Sequence, residues 1–107
     1  MAYIYQTKFD IRSEEANQLR IGKSVAQSLA YLKAFLPNEP GFITSRAMVS
    51  LNQKDKAHLV FESYWEDWDS LDQHLQNSPY TEDKIIPKFS LQATLLDLTS
   101  TIFEEIG

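Results

Sequence analysis

Hydrophobic and polar residues alternate with a period of two over residues 3–11, where the odd positions are Tyr, Tyr, Thr, Phe and Ile. Successive side chains of a strand point to opposite faces, so this pattern predicts a β-strand. The composition of residues 42–51, 57–65 and 94–104 predicts three further strands. In the second and third strands, bulky side chains stand at both odd and even positions, so neither face of the sheet is purely polar.

Two other segments show features of helices. Ser24 and Gln27 form a capping box, in which each side chain bonds one free backbone N–H at the start of a helix. Pro37 ends this helix. Asp67 is a good N-cap for a second helix, which runs through about Gln76. The first helix has an apolar stripe at helical spacing, formed by Val25, Leu29, Leu32 and Leu36.

The remaining segments connect these elements. Residues 12–18 are interpreted as a loop before a short extension at Leu19–Ile21, and a helical turn opening near Ser13 is the alternative. Residues 80–92 are expected to form a short helical or irregular crossover that Pro87 interrupts. The order β-α-β-β-α-β predicts an α+β, ferredoxin-like antiparallel sheet with both helices on one face, in a single domain over residues 1–107.

Helices on one face leave the other face of this sheet without a cover from the same chain. Bulky groups stand on both sides of the strands: Phe61 and Trp65 oppose Val60 and Tyr64, and Met48 opposes Val49. We therefore expect a second copy to supply the missing layer. The sequence therefore predicts a homodimer that packs through the sheet face.

The composition disfavours some classes of binding partner and indicates a cellular location. The formal net charge of −5 disfavours binding to nucleic acid or to an anionic membrane, because both depend on Lys and Arg. Cysteine is absent, which excludes disulfides and thiolate sites. No apolar run approaches the roughly 20 residues that span a bilayer, and no leader pattern opens the chain. We expect a cytoplasmic protein.

Several short motifs occur together between the first helix and the end of the second. Pro40-Gly41-Phe42 follows the first helix, Trp65 ends the third strand, and Leu71-Asp72-Gln73-His74-Leu75 precedes Ser78-Pro79. In this combination the chain resembles the antibiotic-biosynthesis-monooxygenase-like domains of the dimeric α/β-barrel superfamily. The resemblance covers residues 3–105. It implies the ferredoxin-like fold, a dimeric α/β barrel, and a place among cofactor-free monooxygenases, heme degraders and isomerases.

The chain departs from that pattern at several positions. The segment 12–23 is longer than usual, and Ser63 stands where the family often has an acidic residue, two before the strand-end Trp. The heme-degrading branch uses an Asn, a Trp and a His at positions that here correspond approximately to Thr7, His74 and Lys84. We therefore expect no heme turnover and no cofactor.

His74 is the candidate catalytic residue. A histidine near neutral pH can orient or deprotonate a phenol or quinol hydroxyl. Its register with the family's histidine on the second helix implies that His74 points into a pocket between that helix and the sheet, with Trp65 as an aromatic wall. The alternative is a half-buried histidine that serves packing and hydrogen bonding. No third ligand stands at metal spacing from His58 and His74, so no metal site is expected.

Four further residues are candidates for substrate binding. The aromatic side chains of Trp65, Tyr64 and Tyr80 can stack on an aromatic ligand, whereas Trp68 is interpreted as core packing. Arg46 can hold an anion, although an ion pair with Glu62 at a dimer interface is the favoured use.

Two classes of function follow from these residues. The first is a cofactor-independent monooxygenase acting on a small electron-rich aromatic, a quinol or phenol, for which the protein supplies a dry pocket and help with deprotonation. The second is a non-catalytic dimer that binds a small apolar or aromatic ligand or serves a stress role.

Overall fold

The computed structural model describes residues 2–12, 23–50, 56–89 and 95–107. Within them the chain forms four strands, three α-helices and one short 3-10 turn. The strands are β1 (Tyr3–Arg12), β2 (Phe42–Val49), β3 (Lys56–Trp65) and β4 (Leu95–Glu104). The helices are α1 (Lys23–Phe35), α2 (Trp68–Asn77) and α3 (Glu82–Phe89), and the 3-10 turn is Leu36–Asn38.

The strands form one antiparallel sheet in the order β2-β3-β1-β4. β1 pairs with β3 from Tyr3 opposite Trp65 to Arg12 opposite Lys56. This topology and the helices confirm the predicted α+β, ferredoxin-like fold. The predicted loop and extension at residues 12–21 lie, apart from Arg12, outside the described residues.

One face of the sheet carries the odd-numbered residues of β1 and β3 and packs against the helices; we call it the covered face. The sequence periodicity explains this, because the odd positions hold the apolar residues of β1 and α1 presents its stripe to them. The stripe residues Val25, Leu29, Leu32 and Leu36 are all buried, as predicted. The main strand and helix members of this core are Phe9, Ile11, Leu59, Phe61, Trp65, Leu71, Ile85 and Ile86.

The turn between α1 and β2 depends on Gly41. Its φ is +80°, in the left-handed region that favours glycine. A Cβ at this position would lie 2.0 Å from Oγ of Ser70 on α2. Glycine therefore lets the turn approach α2 closely, and its carbonyl accepts a hydrogen bond from the Glu66 backbone N–H at 2.8 Å.

The start of α2 agrees with the prediction except at one side chain. Asp67 is the N-cap, and its carboxylate accepts a hydrogen bond from the Ser70 backbone N–H at 2.8 Å. The interpretation of Trp68 as core packing is wrong, since the side chain is 46% exposed. Its ring contacts Tyr3 edge to face, with centroids 5.7 Å apart, at the margin of the molecule.

The predicted crossover after α2 contains the helix α3. Backbone N–H groups of Lys84 and Ile85 bond the carbonyl of Thr81, which begins the helix. Pro87 lies inside α3 instead of interrupting it. None of the helices in the described ranges combines the length and apolar character needed to cross a bilayer.

The other face of the sheet, which we call the open face, carries the even-numbered residues of β1 and β3. Met48 of β2 and Phe103 of β4 stand on it with 41% and 45% of their surface exposed. Between them lie the half-buried side chains of Ile4, Val60 and Tyr64. Within this chain these apolar groups have no covering layer among the described residues.

Candidate functional site

His74 lies in the last turn of α2, and its side chain is fully buried. The imidazole stacks on the ring of Trp65, with centroids 4.4 Å apart and planes inclined by 25°. The space between α2 and the sheet at this point is therefore filled by side chains. The open pocket that the sequence predicts in this space, with Trp65 as its wall, is therefore absent between these described residues.

Both ring nitrogens of His74 face carboxylates. Nδ1 lies 2.9 Å from Oε1 of Glu39 in the turn after α1, and Nε2 lies 2.8 Å from Oε1 of Glu82 in the first turn of α3. Ionised carboxylates only accept hydrogen bonds, so this geometry favours the imidazolium form, in which both nitrogens donate. Burial alone would lower the pKa of His74, but the hydrogen bonds and charges of Glu82 and Glu39 outweigh it and raise the pKa.

Further hydrogen bonds extend this arrangement in both directions. Trp65 Nε1 donates to Ser63 Oγ at 2.9 Å, and Ser63 Oγ donates to Oε2 of Glu82 at 2.9 Å. At the other end, Ser78 Oγ donates to Oε2 of Glu39 at 3.0 Å. We call these residues the His74 network: Glu39, Ser63, Trp65, His74, Ser78 and Glu82.

A cleft of about 420 Å³ opens beside this network, between α2 and the two turns that flank it. His74 and Glu39 contribute to its wall, and the exposed surface that lines it is mainly apolar. The Glu39 side chain is 16% exposed, so it is the member of the carboxylate pair nearest to solvent. The other lining residues are Pro40, Asp69, Ser70, Gln73, Asn77, Ser78, Pro79 and Tyr80.

Tyr80 is the aromatic residue among those that line this cleft. Its ring stacks on Phe35 of α1, with centroids 5.0 Å apart, and also contacts Tyr31 at 5.8 Å. The backbone N–H of Tyr80 donates to Ser78 Oγ at 2.9 Å, which ties this residue to the His74 network. The predicted residues His74 and Tyr80 therefore meet at one cleft, with Trp65 stacked on the imidazole.

Arg46 and Tyr64, the other two candidates, lie on the open face, across the sheet from the cleft. Arg46 Nε is 2.7 Å from Oε1 of Glu62, the ion pair that the sequence favoured. Glu62 also accepts hydrogen bonds from Gln6 Nε2 at 2.7 Å and from Tyr64 Oη at 3.0 Å. We call these four residues the Glu62 network. Burial would raise the pKa of Glu62, but the bonds from Arg46, Gln6 and Tyr64 lower it.

Glu39 and Glu82 are the site residues that sequence reasoning missed. Thr81, Glu82 and Asp83 read as a helix start, where acidic residues favour the macrodipole and stay in solvent. Glu82 is instead completely buried. Glu39 stands in a polar turn before Pro40, with no periodic pattern to suggest a buried partner. In the described ranges, no group of three or more His, Asp or Glu side chains is arranged to hold a metal ion.

No family model and no curated protein matches this sequence. Solved structures do match. A conserved protein from Methanosarcina mazei has a TM-score of 0.70 and 20% identity, over 99% of this chain and 94% of that one. A candidate antibiotic biosynthesis monooxygenase from Deinococcus radiodurans has a TM-score of 0.68 and 20% identity, over 98% and 93%.

A third similar structure is SnoaB, a cofactor-independent oxygenase from Streptomyces nogalater. It has a TM-score of 0.66 and 15% identity, over 99% of this chain and 94% of that one. At these identities the likeness establishes the fold. The chain therefore has the same ferredoxin-like fold as these proteins, which its sequence motifs indicated.

Proposed function

We propose that this protein is a cofactor-independent monooxygenase that binds a small electron-rich aromatic, a quinol or phenol, in the cleft beside His74. The observation that carries the proposal is a histidine held between two carboxylates at the wall of a mainly apolar cleft. Such a cleft can take up an aromatic ring and exclude water, while the charged groups act on its hydroxyl. The likeness to SnoaB, itself a cofactor-independent oxygenase, supports this class.

In this reaction the substrate supplies the electrons for oxygen. Loss of the hydroxyl proton gives an anion, which transfers one electron to O₂. Recombination of the two radicals forms a C–O bond to a ring carbon that carries one hydrogen. One oxygen atom then leaves as water, with that hydrogen and the proton first taken from the hydroxyl, and the other remains as a carbonyl, so that the product is a quinone. The protein has to bind the ring, accept the first proton and keep the site dry.

Glu39 and His74 divide the proton chemistry in this proposal. Glu39 lines the cleft, and in this proposal its carboxylate accepts the hydroxyl proton, while the hydrogen bond to Nδ1 of His74 orients that carboxylate. The imidazole carries a charge that stabilises the substrate anion formed nearby. Tyr80 offers a ring face against which the substrate can stack.

Oxygen consumption by the purified protein, measured with a panel of quinols and phenols, tests the proposal. We expect uptake of O₂ with at least one member, and a loss of roughly 10²-fold or more in Glu39→Gln and His74→Ala, the usual scale for a general base. Glu39→Gln is the cleaner variant, because it keeps the size of a side chain that is only 16% exposed. Asp72→Asn on α2 serves as the control. Absence of O₂ uptake with every member of the panel would refute the proposal.

A non-catalytic ligand-binding protein is the second candidate. It is favoured by the complete burial of the His74 side chain and by the engagement of both its nitrogens, which leave no free atom for a substrate. In that case aromatic ligands bind in the cleft without O₂ uptake. His74→Ala then lowers the stability of the protein with no selective loss of ligand binding.

We also propose that two copies pack through the open face, to cover Met48, Phe103 and the apolar groups between them. Light scattering at micromolar concentration is expected to give twice the chain mass of 12.3 kDa. A stable species of 12.3 kDa would count decisively against this assembly.

A further inference from the structure

Glu82 has a position that the proposed reaction does not require. It lies in the first turn of α3, has no exposed surface, and reaches neither the cleft nor solvent. A buried carboxylate is costly unless every oxygen is engaged by a charged or donating partner. Here Oε1 meets Nε2 of His74 at 2.8 Å and Oε2 accepts from Ser63 Oγ at 2.9 Å.

The direction of these hydrogen bonds follows from Trp65. An indole N–H can only donate, so Ser63 Oγ must accept from Trp65 Nε1. A hydroxyl has a single proton, and that of Ser63 is left to point at Glu82. Oε2 of Glu82 is therefore an acceptor, as expected for an ionised carboxylate.

The dipoles of the two helices favour the same charges, positive on His74 and negative on Glu82. His74 is in the last turn of α2, where the macrodipole favours a positive charge, and Glu82 is in the first turn of α3, where it favours a negative one. The C-terminal end of α2 thus stabilises a positive charge on His74, and the N-terminal end of α3 stabilises a negative charge on Glu82. These two residues are the partners of one hydrogen bond.

We propose that Glu82 is the positioning residue of this site: supplied by α3, it orients the His74 ring with Nδ1 toward Glu39 and the cleft, and it holds the imidazole in its doubly protonated form. The effect on the imidazole is independent of the proposed oxygenase function. Only the consequence for turnover rests on that function.

The groups that face His74 come from four segments. Glu39 from the turn after α1 and Glu82 from α3 are the charged ones in contact with the ring. β3 contributes two neutral side chains: Trp65 stacks on the imidazole, and Ser63 bonds to Trp65 and Glu82 behind it. On α2 itself, Asp69 lines the cleft and Asp72 is half-buried. Substitution of Glu82 therefore isolates one of two direct charge partners.

The test is an NMR titration of the His74 imidazole in the wild type, in Glu82→Gln and in Asp83→Asn. Asp83→Asn is the matched control, because it removes the same charge from the neighbouring, exposed position of α3. In Glu82→Gln we expect the titration midpoint of His74 to fall by about 1–3 pH units, the scale of one close opposite charge. In Asp83→Asn the midpoint of His74 should stay near its wild-type value.

Two results would overturn the proposal. One is a His74 midpoint that is the same in Glu82→Gln as in the wild type. The other, which does not require the variant to fold, is a wild-type ¹⁵N spectrum at pH 6.5 that shows one protonated and one unprotonated nitrogen in His74. That spectrum means a neutral ring, whereas the proposal requires two N–H groups.

The double variant Ser63→Glu/Glu82→Ser tests whether the carboxylate or the identity of the residue matters. Since Ser63 and His74 bond the same carboxylate group, a glutamate at 63 can present its oxygens from the strand instead of from α3. We expect it to restore a large part of the lost midpoint shift. If wild-type protein lacks oxygenase activity, these titrations still decide the role of Glu82, so the two proposals fail separately.

Discussion

Glu62 and Ser63 are neighbours on β3, yet they belong to polar networks on opposite faces of the sheet. The Glu62 network on the open face consists of strand residues, whose side chains meet because the strands pair in register. The His74 network on the covered face draws on β3, α2, α3 and two turns. One is built by sheet pairing, and the other by the packing of helices on the sheet.

The two networks also shift the pKa of their central groups in opposite directions. On the covered face two carboxylates surround a histidine, and the pKa of that histidine is raised by Glu82 and Glu39 against the effect of burial. On the open face the permanently charged Arg46 meets a carboxylate, whose pKa is lowered although burial opposes it. Rising pH therefore weakens the first network and falling pH weakens the second. The difference shows how one sheet can carry two charge systems with separate pH ranges.

Removing the central imidazole should produce the largest effect. His74→Ala leaves the buried Glu82 without its cationic partner, and the loss of one member of a buried pair typically costs about 3–5 kcal/mol. Chemical denaturation at pH 6 measures the free energy of unfolding. Gln76→Ala, at an exposed site on the same helix, should change it by less than about 0.5 kcal/mol. A similar small change in both variants would contradict the importance of the network.

A charge on the open face should act on assembly instead of on the fold. Met48→Glu places a carboxylate in the surface that we propose two copies share, beside the charge of Glu62. We expect the dimer dissociation constant to rise at least about 100-fold, equivalent to about 2.7 kcal/mol. Sedimentation or light scattering follows the change. Trp68→Glu, an equally exposed apolar site away from this face, should leave the dimer intact. Equal behaviour of the two variants would argue against the open-face interface.

Neutralising the open-face carboxylate should have a smaller effect. Glu62→Gln weakens charge-assisted hydrogen bonds from three partners, but Arg46 is largely exposed, so we expect a loss of about 1–2 kcal/mol at pH 7. The folded-state pKa of Glu62 lies below the ordinary value of 4.5. Its contribution is thus present above pH 4.5 and disappears as pH falls through the folded value. Unfolding curves of variant and wild type should converge in acid. A difference in unfolding free energy that persists in acid would indicate that it does not come from the charge of Glu62.

The His74 network on the covered face should lose its stabilising effect as pH rises, whereas the Glu62 network loses it as pH falls. The resulting change in unfolding free energy at any one pH should be the smallest of these effects. The folded-state pKa of His74 lies above its ordinary value of 6.5, so its stabilisation is complete below pH 6.5 and is lost as pH rises through the folded value. The slope for one proton cannot exceed about 1.4 kcal/mol per pH unit. Unfolding free energies from pH 6 to 9 should decline in the wild type, and that decline should be absent from His74→Ala. Parallel curves would show that another group titrates.

The elements of this fold could be read from local patterns. The alternation of residues 3–11 and the Asp67 N-cap each depend on neighbours within a few positions, and each is found where the pattern predicted it. The prediction failed at Trp68, because a position next to a good N-cap does not determine whether the side chain packs against the sheet. Pro87 likewise signalled an interruption that the surrounding helix accommodates.

The candidate site was only half visible in the sequence. His74 and Tyr80 stand in motifs that point to a site, and they do share a cleft. Arg46 and Tyr64 were grouped with them on chemical type alone, and the sheet separates them from it, since residue parity decides the face of a strand. The bulky groups on both sides of β3 correctly indicated an open apolar face.

The sequence by itself determined the four strands, the helices α1 and α2, the order of these elements and the ion pair of Arg46 with Glu62, because these depend on periodicity, caps and strand register. Only the tertiary structure decided that Glu39 and Glu82, 43 positions apart in the numbering, close on the two nitrogens of His74. No local rule can show this, because a carboxylate in a turn or a first helical turn is normally solvated. The packing of α2 and α3 on the sheet determines which group each carboxylate meets. The cost of burying the carboxylate charge is offset only when that packing brings an imidazolium within hydrogen-bond distance.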